Sequence, residues 1–161
     1  MTQRNTLIEA LKEEDRLLRA HLAHLPRSDR ERPAPDGGLS LKDILGHIAF
    51  WDEFTVRFFE CKLDATSMAL PPPVRFEERS REALRRLRPL PFGEVLARYL
   101  EATEALLAFL AGSWDQLSER EKHDFWVPLK HRRVHRLRFE RGWGQGSAAG
   151  ADALTQLAEG A

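Results

Sequence analysis

Residues 39–61 read LSLKDILGHIAFWDEFTVRFFEC. Their apolar positions recur at helical spacing on two adjacent stripes, Leu41, Ile44, Leu45, Ile48 and Phe59 on one side and Trp51, Phe54 and Phe58 on the other. Ser40 followed by Asp43 marks the start. So wide an apolar surface has to be covered by other elements, and the segment predicts the most buried helix of an all-α protein. Lys42, Asp43, Asp52, Glu53 and Arg57 interrupt it, which excludes a membrane span.

Outward from this helix the same period recurs. Leu7, Leu11, Leu18, Leu22 and Leu25 lie on one stripe of a helix over 6–25, with Thr6 and Glu9 as a capping box and Pro26 as its stop. Residues 27–38, RSDRERPAPDGG, have the composition of a crossing loop. After the second helix, Pro71, Pro72 and Pro73 predict extended chain in 64–74, then a short basic helix over 78–88. Phe92 to Ala111 forms the third long helix, with Val95, Tyr99, Thr103, Leu106 and Leu110 on its core face and Gly112 as its stop. The last element lies between Ser118 and Arg141, where Pro128 predicts either a kink or a helix start. Four long helices with one long crossover predict a four-helix bundle over 1–141 and a Gly/Ala-rich tail over 142–161.

Composition bounds the function. With 161 residues, 42% apolar and 31% charged, the chain suits one globular domain, and 25 basic against 25 acidic residues leave no global field for nucleic acid or anionic membranes. Cys61 is the single cysteine, and the acidic N-terminal stretch has no apolar core of a signal peptide, so a cytoplasmic location is expected. Locally, Lys130–Arg141 carries six basic residues against Glu140, and 75–88 carries six Arg against three Glu. If the two converged they would offer phosphates a basic face, an alternative in which a metal-free bundle binds nucleic acid or a small molecule.

The chemistry-bearing residues are histidines. His131 and His135, in HRRVH, stand one helical turn apart, the spacing at which two imidazoles share a metal ion, and His47 lies on the stripe of Ile44, Trp51 and Phe54, pointing into the bundle. A hydrogen-bonded core histidine and a chance HxxxH pair are the plainer alternatives. The motif is not that of a zincin, because Arg132 stands where HExxH needs its glutamate, which disfavours metalloprotease chemistry.

LSLKDILGHIAFWDEF resembles the second helix of the DinB/YfiT-like superfamily, RFEERSREALRRLRPLPFGEVLARYLEATEALLAFLAG the stretch through its third, particularly in the ClbS/DfsB-like branch, and HRRVHRLRFERGW its closing His-x-x-x-His helix. The resemblance implies an up-down-down-up four-helix bundle with a divalent cation, zinc or nickel, on His47, His131 and His135. It further implies a low-molecular-weight thiol or water activated against a small electrophile, in detoxification or stress response. Arg138, one turn past His135, is placed to clamp a carboxylate of the thiol or substrate. Asp43 and Asp124 are candidates to orient an imidazole. A homodimer is expected from the resemblance and from the surplus of large apolar residues on helix two.

Overall fold

The structure is a computed structural model, and it describes residues 2–64 and 76–144. Among these residues six α-helices follow in order: α1 (Gln3–His24), α2 (Leu41–Leu63), α3 (Phe76–Leu87), α4 (Phe92–Ser113), α5 (Glu119–Asp124) and α6 (Trp126–Gly144). No strand occurs among the described residues, and none of the described helices is long and apolar enough to cross a membrane. The proline triplet lies outside the described residues.

Residue pairs fix the directions of the four long helices. Glu14 meets Arg133 and Arg136, and His21 meets Glu140, so α1 and α6 run parallel. Asp52 meets Arg132 while Phe59 packs against Phe125, so α2 runs against α6. Glu53 meets Arg98 and Phe59 meets Phe109, so α2 and α4 are parallel, linked by the crossover that contains α3. The result is the up-down-down-up bundle.

Two apolar clusters fill the interior. One gathers Leu7, Leu11, Val56, Phe59, Leu106 and Phe125, and the other Leu18, Ile44, Ile48, Val95, Tyr99 and Phe139. On every long helix a polar residue stands in sequence between the two: Asp15, Asp52, Thr103 and Arg132. The core is therefore cut by a polar layer, and the layer belongs to the site.

Several boundaries differ from expectation for local reasons. Thr2 rather than Thr6 caps α1, its side chain accepting from the Asn5 N–H, and Thr6 sits inside the first turn. Ser40 does cap α2, accepting from the Asp43 N–H at 3.0 Å. Gly112 lies within α4 rather than ending it. Between Ser118 and Arg141 the chain neither kinks at Pro128 nor starts there. A one-and-a-half-turn α5, with the capping box Ser118–Glu121, ends at Asp124, and α6 begins at Trp126. Pro128 then occupies the first turn, where a backbone N–H has no partner in the helix to lose. His131 consequently sits in the second turn rather than the first.

At its far end α6 runs on to Gly144, past Arg141. Gly142 is buried under the 34–36 loop, and a Cβ there would fall 2.8 Å from Asp36 Oδ1 and 2.9 Å from the Ala34 Cβ. That loop turns at Gly37, whose φ of 80° favours glycine, and its close approach walls one side of the site.

Candidate metal centre

Helix α2 places His47 in its second turn, and α6 places His131 and His135 in its second and third, so the antiparallel pair brings all three imidazoles together. Their ring centroids form a nearly equilateral triangle with sides of 4.8, 4.7 and 4.6 Å. His131 Nε2 lies 2.9 Å from His47 Nε2 and 3.0 Å from His135 Nε2. One potential ligand atom from each residue falls within 4.8 Å of those of the other two. His123, on exposed α5, does not join them.

The donor set fits a divalent cation. A single ring nitrogen carries either one proton or one lone pair, so His131 Nε2 can satisfy two imidazoles only by sharing. Three lone pairs converging on one point are what a cation needs. At zinc–imidazole distances of about 2.0–2.1 Å, tetrahedral ligand atoms stand about 3.4 Å apart, so the two pairs that His131 makes, at 2.9 and 3.0 Å, need open by only about 0.4 Å. Electrostatics agree. Burial, then the neighbouring imidazoles and Arg132, push His131 down to about 3. Burial, then His47 and Arg138, push His135 down to about 4. Burial likewise lowers His47. Neutral imidazoles are the form that binds metal.

The partners of these rings differ from expectation. Asp43 does not orient His47, because its carboxylate accepts two hydrogen bonds from Arg88, at 3.1 and 3.2 Å. His47 Nδ1 is buried without a partner. Asp124, exposed, lines the same cavity as His131.

A polar network that the charge count concealed stands beside the triad. Arg132 reads as part of a basic run, yet it is 1% exposed and donates to Asp52, to Tyr99 Oη at 2.8 Å and to Thr103 Oγ1 at 3.0 Å. Tyr99 in turn donates to Asp15 at 2.8 Å, which ties all four long helices at one level. Burial pushes the Asp52 carboxyl up, against the pull of Arg132. The signal was in the period: Asp52 falls on the core stripe of Ile48, Val56 and Phe59.

The rest of the basic run is largely paired as well. Arg133 and Arg136 both donate to the buried carboxylate of Glu14, and Arg136 also to Glu140, which takes His21 from α1. On the other segment Arg88 is held by Asp43, and Arg85 and Arg86 by Glu82. Arg138 and Arg141 of α6 are exposed, and with His135 and Asp36 they line a cavity of about 500 Å³. A second cavity of about 520 Å³ opens on the other side of the triad, lined by His47, His131, Trp51, Phe54 and Phe58 among others.

One comparison with known proteins finds a match. The family of the mycothiol maleylpyruvate isomerase N-terminal domain matches residues 11–139, four-fifths of the chain. The chain belongs to that family. The mycothiol maleylpyruvate isomerase N-terminal domain is a member of the DinB/YfiT-like superfamily, as the helical motifs implied. No curated protein and no solved structure matches the chain.

Proposed function

We propose that this protein is a metal-dependent enzyme in which a zinc or nickel ion, held by His47, His131 and His135, serves the attack of a thiol or water on a small electrophile. The observation that carries the reading is the convergence of three neutral imidazoles from two helices, His47 buried and His131 and His135 partly buried, within a family named for a thiol-linked isomerase. A cation of this kind lowers the pKa of a thiol or water bound to it and so supplies a nucleophile at neutral pH. The chain needs no nucleophile of its own. Its single cysteine, Cys61, is near the end of α2, remote in sequence from His47.

The protein's residues supply binding and exclusion of water. Arg138 and Arg141, beside His135, suit the carboxylate of a low-molecular-weight thiol of the mycothiol class. Arg132 and Asp52 brace the two metal-bearing helices against each other from within, which keeps the imidazoles at fixed separation. A cytoplasmic role in detoxification or stress response fits such chemistry. Nucleic-acid binding loses its main support, since Arg132 and Arg136 are consumed inside the fold.

Thiol consumption against a panel of small electrophiles tests the proposal. The wild type should turn over with mycothiol or a close analogue, and a chelator or His135→Ala should reduce the rate by at least about 100-fold. Arg138→Ala should raise the KM for the thiol by about 10-fold and leave kcat nearly unchanged, since a carboxylate clamp acts equally in ground and transition states. Turnover indifferent to both the chelator and His135→Ala would contradict the proposal.

A further inference from the structure

Helix α2 carries more aromatic surface than the core uses. Phe59 is buried, but Trp51, Phe54 and Phe58 are only half-buried. Their rings form a row, Trp51 to Phe54 at 5.5 Å and Phe54 to Phe58 at 6.2 Å between centroids. Phe76 of α3 extends it, 66% exposed and 5.4 Å from Trp51, and Val127 of α6 faces it, 62% exposed. Large apolar side chains left this open beside a buried polar centre mark a binding surface.

We propose that this cavity takes the electrophile, and that its occupant is a neutral, flat aromatic molecule of one or two rings. The proposal rests on the metal-centre reading for the fate of the bound molecule, though not for its binding. Three observations select the class. First, the volume, about 520 Å³, is that of a small-molecule site, and its wall reaches His47 and His131. Second, the wall is a run of rings, which offers faces and edges to another ring. Third, the charged groups among the described lining residues, other than the imidazoles, are the carboxylates Asp52 and Asp124. Of the cations that contact this wall, Arg132 is 1% exposed and already donates to Asp52, Tyr99 and Thr103, so it has nothing to offer a carboxylate ligand, and Arg79 of α3, outside the lining, lies over the face of Phe54 with its guanidinium 5.4 Å from the ring centroid.

The cavity on the His135 side has the opposite character, with Arg138 and Arg141 in its wall. The triad thus separates a cationic chamber from an aromatic one. An anionic reactant and a neutral one would enter from different sides and meet only at the imidazoles.

The test compares 1-naphthol with 1-naphthoate, which share a ring system and differ in charge, by titration calorimetry on the full chain with and without a chelator. The neutral compound should bind with a Kd at or below about 100 μM, and the anion at least tenfold more weakly, in both conditions. Val127→Asp should weaken naphthol at least tenfold, and Val127→Arg should shift the preference toward naphthoate. Val127 is exposed, so neither change bears on folding, which circular dichroism checks. No naphthol binding at 1 mM, equal binding to the Val127→Asp variant, or tighter binding of the anion to the wild type would overturn the proposal. So would a concentration-dependent dimer that Val127→Asp dissolves while naphthol fails to bind, since the ring row would then belong to a second copy of the chain. Naphthol binding to protein that takes up no metal would support the occupant class while removing the reading of the centre.

Discussion

His131 faces two imidazoles through one nitrogen, and without a cation that contact is held at a cost. The fold keeps His131 near 3 and His135 near 4, against 6.5 for a free imidazole, because burial disfavours the charged ring. A histidine depressed in this way contributes its full stabilisation above the unfolded value and loses it as pH falls toward the folded one. Chelator-treated protein should therefore hold its melting temperature above pH 6.5 and lose it progressively down to about pH 3. Thermal melts across that window check this, and His131→Asn should flatten the decline. Residue types and the four-residue step made two of these histidines legible in the sequence, and the apolar stripe through Ile44 and Trp51 made the third. The missing partner on His47 Nδ1 was not legible, because Asp43 stands one turn away and only the fold shows that Arg88 has taken it.

At the scale of elements, α2 and α6 are locked by an ion pair that neither helix reveals alone. Asp52 and Arg132 are each 1% exposed in their side chains. Removing one partner leaves a buried charge unpaired, so Asp52→Ala should destabilise the protein by about 3–5 kcal/mol in urea unfolding. Asp52→Leu combined with Arg132→Leu should recover a large part of that loss, since replacing both charges by apolar groups removes the desolvation penalty. Pro128 gives a contrasting case. In the first turn of α6 its missing N–H costs nothing, so Pro128→Ala should change stability by no more than about 1 kcal/mol, mainly through the unfolded chain. Periodicity was sufficient to place the long helices, whereas the expected cap at Thr6 and stop at Gly112 fall inside α1 and α4. Periodicity and caps could not decide between a kink and a start at Pro128, because that choice depends on Ser118 capping a separate short helix and on Phe125 packing into the core against Phe59 and Phe109.

For the whole molecule, the direction of each helix follows from pairs far apart in sequence, and the bundle's order was foreseen through resemblance rather than through periodicity. Charge was the feature least legible at this scale. Balanced totals hid the fact that Glu14, Asp52 and Glu140 draw Arg132, Arg133 and Arg136 onto the α1 and α2 sides of α6, and a linear run of arginines reads alike whether solvated or spent. A cation bridging α2 and α6 would tie two helices whose ligands are 84 residues apart, so its binding would be coupled to folding. At a hundredfold excess over Kd it should add about 2.7 kcal/mol, or about 5–10 °C in melting temperature for a chain of this size. The most direct measurement is the metal content of untagged protein purified without chelating resin, read by elemental mass spectrometry beside His47→Ala, His131→Ala and His135→Ala. Close to one equivalent of zinc or nickel in the wild type, lost from all three variants, is the predicted result. Wild-type protein that takes up no metal after incubation with zinc, nickel or manganese, or variants that retain the wild-type content, would contradict the three-histidine centre.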